Sequence, residues 1–287
     1  MIRFQNCYMP RSNKPRPARH ILVWGITQLF WLRGCVSIDF FIEKSDQRMK
    51  YLSGILSGRG YPVKGFDSSA DGPVCLIVSP GKTPDMLVGL IERLSPGSVL
   101  IGGQRSGLVY DSAKEHSIRY INIAADEAFA VKNAVPTAEG ALMLILENSD
   151  RTVMGMHVAI TGFGRIGRIL AKMLHSLGAS VHVIARNPID RAWAMGYESC
   201  GLEDMKEVFF RCAAVVNTVP APIIGRDELD ALERGSLIIE LASHPYGFDA
   251  DMAKELGHRA IVAPGLPAKT APCSAAEFMA DAIERLI

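Results

Sequence analysis

The chain has 287 residues, 48% hydrophobic and 21% charged, enough to bury a full core and long enough for two domains. A net charge of +1 gives no electrostatic reason to expect a nucleic-acid partner. Six cysteines (Cys7, Cys35, Cys75, Cys200, Cys212 and Cys273) lie without CxxC spacing, so neither a metal site nor a disulfide framework is expected and reduced thiols are the default.

Residues 1–38 carry Arg3, Arg11, Lys14, Arg16, Arg19 and Arg33 with no carboxylate, and they hold Trp24 and Trp31. The basic start and the apolar run from His20 to Leu32 have the outline of a targeting signal, but the run is too short for a stable membrane span. Two readings remain, a membrane-surface or targeting segment and an extension belonging to no domain. The second is adopted, with residues 1–37 outside the fold.

From Ser37 the chain alternates strands and helices. Expected strands are Ile38 to Ile42, Val74 to Val78, Ser98 to Ile101 and Ile118 to Ile121, with helices Asp46 to Ser57, Pro84 to Leu94 and Asp111 to His116 between them. Pro136-Thr137 is read as opening a connecting helix that bears Ala138, Ala141, Leu142, Ile145 and Leu146, with Glu139 suited to the helix-start dipole. Beyond it come strands Met156 to Thr161, Ser180 to Ala185, Ala213 to Thr218, Leu237 to Leu241 and Ala260 to Ala263. The helices of this half are Arg168 to Leu177, Asp227 to Glu233, Ala250 to Leu256 and a final one, Ser274 to Leu286, long enough to cross back over the first half. Such alternation implies α/β architecture, two Rossmann-like lobes with parallel sheets and a cleft between them. The expected partition is an N-terminal α/β substrate domain over 38–136, a connecting helix over 137–150, a dinucleotide-binding domain over 151–268 and a C-terminal helix over 269–287.

The stretch Gly162-Phe163-Gly164-Arg165-Ile166-Gly167 carries the most chemistry. It sits between a buried strand and a helix with an apolar stripe of Ile166, Ile169, Leu170, Met173, Leu174 and Leu177. In such a turn the first glycine reverses the backbone, the second admits a pyrophosphate and the third lets helix and strand pack closely. The next strand ends in Ala185-Arg186-Asn187, with no carboxylate before Asp190. An NAD site usually places Asp or Glu there for the ribose 2′-hydroxyl, whereas Arg186 suits a 2′-phosphate. NADP(H) is therefore expected, with NAD and a solvated Arg186 as the alternative. Thr218, Val219, Pro220 and Ala242 follow later strands of the same half and complete the expected cofactor-binding set, since ligands bind beyond the carboxyl ends of parallel strands.

Four segments, in order, give a more specific likeness: Asn133-Ala134-Val135-Pro136-Thr137-Ala138-Glu139-Gly140, the glycine turn, Glu240-Leu241-Ala242-Ser243, and Ala263-Pro264-Gly265-Leu266-Pro267 with Ala271-Pro272. Together they resemble the A subunits of dipicolinate synthases over about residues 38–287. The family's opening Gly-Gly-Asp-x-Arg turn is Lys44-Ser45-Asp46-Gln47-Arg48 here, with both glycines lost, and His244 and Tyr246 stand where arginine and glycine are expected. The resemblance implies a cytoplasmic sporulation enzyme of the mother cell of a spore-forming bacterium. It would oxidise dihydrodipicolinate to dipicolinate together with a flavin-binding B subunit, and homo-oligomerisation is left open.

That reaction removes a hydride and a proton and requires a grip on two carboxylates. His244 is the expected base, because an unperturbed imidazole titrates near neutrality. Arg48, Arg105 and Lys269 are the expected carboxylate-binding residues, each placed in a cleft loop. Two other readings stay open. A D-2-hydroxyacid dehydrogenase shares the two-lobed plan, but no histidine follows His258 to serve as its acid-base group. A non-catalytic NADP-binding regulatory subunit is the third.

Overall fold

The computed structural model describes residues 39–66 and 72–287; the expected extension, with Trp24, Trp31, Cys7 and Cys35, and Ile38 of the first expected strand lie outside the described residues. The first sheet contains β1 (Phe40–Ile42), β2 (Val63–Gly65), β3 (Cys75–Ile77), β4 (Val99–Gly102) and β5 (Arg119–Asn122). All its pairings are parallel, in the order β2-β1-β3-β4-β5. Strands this short and apolar are buried on both faces: Ile42, Leu76, Ile77, Leu100 and Ile101 are nearly inaccessible. Helices α1 (Gln47–Gly58), α2 (Pro84–Ile91) and α3 (Gly107–Glu115) supply the covering layers.

The second sheet contains β6 (His157–Thr161), β7 (Ser180–Ile184), β8 (Glu198–Cys200), β9 (Ala214–Asn217), β10 (Leu237–Glu240) and β11 (Arg259–Val262). It is parallel throughout, in the order β11-β10-β9-β6-β7-β8. Counted within this half, that is the 3-2-1-4-5-6 order of dinucleotide-binding folds, while the first sheet has the 2-1-3-4-5 order of flavodoxin-like folds. The two Rossmann-like lobes expected from the alternation of elements are both present.

Between the sheets runs α4 (Glu127–Asn148), which begins nine residues before the expected start at Pro136. Its true start is set by Asp126, whose side chain accepts from the Phe129 N–H. Pro136 is interior and buried, and Glu139 is exposed in mid-helix rather than at a helix start. A proline there removes one helical N–H, a loss offset by the burial of Ala134, Thr137, Ala138, Gly140, Ala141 and Ile145 along the same helix. By length and composition α4 could cross a membrane; 44% of its apolar window is buried inside the protein, and Ala138, Ala141 and Ile145 join the core of the second sheet.

The remaining helices are α5 (Arg165–Ser176), α6 (Pro188–Trp193), α7 (Met205–Phe209), α8 (Arg226–Asp230), α9 (Ala250–Glu255), α10 (Leu266–Thr270) and α11 (Pro272–Leu286). Helix α5 starts three residues before the expected position, and Leu177 of its stripe falls beyond its end and is exposed. Helix α11 crosses back to the first lobe as expected. Arg59 of the loop after α1 pairs with Asp281 at 3.0 Å and Glu284 at 2.8 Å, and Arg285 donates to Asp126 at 2.7 Å.

Candidate active site

Helix α4 begins five residues after β5 ends, and its first turns abut the glycine turn at the end of β6. The carboxyl ends of both sheets therefore open toward the same region. The adjacent strands β6 and β9 form the switch point of the second sheet, where the connections leave in opposite directions. A cavity of about 370 Å³ lies there. Ala130, Asn133, Ala134 and Thr137 of α4 wall one side, Gly162 through Ile166 the other, and Asp190 with Thr218, Val219 and Pro220 close it.

The three glycines do different things. Gly162 has φ of +88°, and a Cβ on it would lie 2.5 Å from the Thr218 hydroxyl and 2.8 Å from a Val219 methyl. A Cβ on Gly164 would meet nothing within 4 Å, so the backbone is open to the cavity at the residue preceding α5. A Cβ on Gly167 would collide with the Gly162 carbonyl oxygen, so only glycine lets α5 sit this close to β6. Open backbone beside the unpaired N–H groups of a twelve-residue helix fits a pyrophosphate. Among the described residues, no three His, Cys, Asp or Glu side chains gather into a metal-holding group.

Eight of the expected cofactor residues line the cavity: Gly162, Phe163, Gly164, Arg165, Ile166, Thr218, Val219 and Pro220. Arg165 forms a two-pronged pair with Glu127 at the start of α4, at 2.8 and 2.5 Å. Arg186 and Asn187 lie at the end of β7, where Arg186 is exposed and Asn187 caps α6 by accepting from the Ile189 N–H. Arg191 donates to the carbonyls of Ala185 and Arg186, at 2.8 and 3.0 Å, which adds a second guanidinium to this corner.

Below the cavity lies a network that composition and spacing did not reveal. Asn217 and Glu240 end β9 and β10, and both are buried. The Thr161 hydroxyl donates to Asn217 Oδ1 at 2.5 Å, and Asn217 Nδ2 donates to both Glu240 oxygens at 2.8 and 2.9 Å. Glu240 also accepts the N–H of Ala242 at 2.8 Å and of Gly247 at 2.7 Å. The backbone amide of Ala242, one of the expected cofactor-binding residues, is thus engaged by Glu240. Gly247 is required here, since a Cβ would collide with the Asn217 amide nitrogen. Burial pushes the Glu240 carboxyl above the ordinary range, against the pull of the Gly247, Asn217 and Ala242 donors. The signal in the sequence was a polar residue ending each of two otherwise apolar strands.

None of His244, Arg48, Arg105 or Lys269 lines this cavity. His244 is exposed in the loop between the two amides that Glu240 holds, its ring edge-on to Tyr246 at 5.6 Å. Arg105 is exposed in the loop after β4, as expected. Arg48 and Lys269 are not in loops. Lys269 is an exposed residue of α10, and Arg48 lies in the first turn of α1, only 5% exposed. Arg48 Nη2 donates to Ser79 at 3.0 Å and pairs with Asp46 at 3.4 Å, across the β1/β3 switch point of the first sheet. Desolvation lowers its affinity for the proton, partly countered by Asp46. Burial pushes the Cys75 and Cys212 thiols up to about 12, so neither is a nucleophile near neutrality, and Cys273 is exposed at the start of α11.

Residues 142–265 match the family model for the NAD-binding domain of D-isomer specific 2-hydroxyacid dehydrogenases. The chain is 30% identical over 199 residues to the A subunit of dipicolinate synthase from Bacillus subtilis (strain 168), an alignment covering 69% of this chain and 67% of that protein. A crystal structure of the corresponding dipicolinate synthase protein from Bacillus halodurans superposes with a TM-score of 0.78 at 24% identity, covering 88% of this chain and 98% of that one. The apo structure of D-lactate dehydrogenase from Escherichia coli shares the fold at a TM-score of 0.61 and 15% identity, over 88% and 96% of the two chains.

Proposed function

The chain belongs to the family of dipicolinate synthase A subunits and is an NAD(P)-dependent oxidoreductase, and from this premise we propose that it oxidises dihydrodipicolinate to dipicolinate with NADP⁺, during sporulation, together with a flavin-binding B subunit in the mother-cell cytoplasm. The observation that carries this reading is the cavity at the β6/β9 switch point, whose wall residue Val219 is tied through Asn217 and Glu240 to the loop bearing His244. A nicotinamide bound there would supply the hydride acceptor. Gly164 and the first N–H groups of α5 would hold its pyrophosphate, and Arg186 would take the 2′-phosphate as a charge-assisted pair.

The substrate is a dianion, so its site needs cations on more than one side. Arg105 presents one from the first lobe and Lys269 one from the second, while Arg48, buried against Asp46 and Ser79, is already paired. His244 accepts the proton that leaves as the ring becomes aromatic, and the network around Glu240 fixes the loop that carries it. Closure of the lobes on the substrate excludes water from the hydride path.

The 2-hydroxyacid dehydrogenase alternative lacks its acid-base histidine in this arrangement. His258 precedes β11 at the amino end of the sheet, is buried, and bonds to the Leu229 carbonyl at 3.0 Å. The test is dipicolinate formation by the purified chain with NADP⁺ and dihydrodipicolinate, with and without the flavoprotein. Turnover that needs this chain and its cofactor is expected. A flavoprotein equally active without this chain would overturn the reading.

A further inference from the structure

Near the end of β7 the carboxylate closest in sequence is Asp190, and it lines the cavity. Left free, it could accept a hydrogen bond from a ribose 2′-hydroxyl and would repel a 2′-phosphate. It is not free. Arg168 Nη2 lies 3.2 Å from Asp190 Oδ1, and Arg168 is itself fixed by three other contacts. Its Nε donates to the Phe163 carbonyl at 2.8 Å, and its guanidinium carbon lies 5.6 Å from the centroid of the Phe163 ring and 5.7 Å from that of Trp193. A planar cation clasped by two aromatic rings and a carbonyl keeps one orientation, directed at Asp190.

We propose that Arg168 is a specificity-determining residue: by holding Asp190 it removes the carboxylate that would otherwise favour NAD(H), and so allows the Arg186 corner to select NADP(H). This deepens the cofactor reading above and rests on it. Arg186 attracts the extra phosphate, while Arg168 acts through Asp190 and does not touch the phosphate. Half of the selectivity device thus lies on α5, away from the end of β7 where cofactor choice is usually read.

The test is the dissociation constants of NADPH and NADH, from titration of nucleotide fluorescence, for the full chain and its variants. Arg168→Gln should weaken NADPH about five- to tenfold relative to NADH, the scale of a part-exposed pair acting on a group of nearly two charges. Arg168→Gln combined with Asp190→Asn should return NADPH affinity to within about threefold of the parent. Asp190→Asn alone, which leaves the stacked guanidinium in place, should keep NADPH affinity equal or tighter. Equal weakening of both nucleotides, or no recovery in the double variant, would overturn the proposal. If Arg186→Asp abolishes the preference for NADPH but Arg168→Gln leaves it intact, the cofactor reading survives and this one fails. A parent chain that shows no preference sinks both.

Discussion

A buried carboxylate that accepts two backbone N–H groups and a side-chain amide leaves little freedom in what can replace it. Each Glu240 oxygen takes one backbone donor, Ala242 on one side and Gly247 on the other. In Glu240→Gln one of those donors must face the new NH₂ group, and a buried donor left without an acceptor costs about 1–3 kcal/mol. Denaturant unfolding should register that loss, and a change under about 0.5 kcal/mol would show that the network is dispensable. His244 is a separate matter, because it is exposed on its loop, with its ring edge-on to Tyr246. His244→Ala should leave NADP(H) binding within about threefold and lower turnover by about 10²-fold or more, the scale of a positioned acid-base group. Unchanged turnover in the complete enzyme would make His244 a bystander. Collapse of cofactor affinity would instead move it into the nucleotide pocket. Arg186→Asp should weaken NADP(H) by roughly 1.5–3 kcal/mol more than NAD(H), and equal losses for both nucleotides would exclude a 2′-phosphate contact.

At the scale of elements, the apolar strands that make up most of both sheets and the longer helices between them were legible in the chain, and so was the glycine turn. Several short pieces were not. Strand β2 is Val63-Lys64-Gly65, an exposed edge without alternation, and α6, β8, α7 and α10 each span six residues or fewer. The early start of α4 was hidden by Pro136, which has the look of a first-turn proline although the helix runs through it. The Asn217 and Glu240 pair was visible only as two strand ends, because which strands are neighbours is a matter of topology: the 3-2-1-4-5-6 order puts β9 between β6 and β10, and so sets Asn217 between Thr161 and Glu240. Packing against α4 also reverses an ordinary rule. Gly→Ala inside a helix normally stabilises by about 0.5–1 kcal/mol, but a Cβ on Gly140 would lie 2.5 Å from the Thr270 hydroxyl and 3.1 Å from Leu266, where α10 rests on α4. Gly140→Ala should therefore destabilise, by about 1–3 kcal/mol for an overpacked contact. A rise in melting temperature would mean that α10 yields at no cost.

Across the whole molecule, α11 leaves the second lobe and is clasped to the first by carboxylates. Burial alone would raise the Asp281 carboxyl, but Lys132 and Arg59 outweigh it and hold the group below its usual range. Asp126 follows the same pattern, with the Phe129 N–H and Arg285 overcoming its desolvation. A carboxylate whose folded pKa is depressed contributes stability that is present above its unfolded value, about 3.9 for Asp, and is lost as pH falls through the folded value. Glu240 has the opposite sign: its folded pKa is raised, so its contribution is present below the unfolded value, about 4.3 for Glu, and is lost as pH rises through the folded one. Acidification should then loosen the clasp while it relieves the site network, and the molecule should come apart at α11 first. Amide hydrogen exchange measured from about pH 5 down to about pH 3 is expected to show the α11 amides losing protection before those of β6, β9 and β10. Asp281→Asn should weaken the clasp already at neutral pH and flatten that acid-dependent step, by removing one of the two carboxylates whose protonation drives it. If the central strands open together with α11, or if Asp281→Asn leaves the acid profile unchanged, the ion pairs are surface decoration and the helix is held by its apolar face, with Ala275, Ala276, Met279, Ala280 and Ile283 carrying the contact instead.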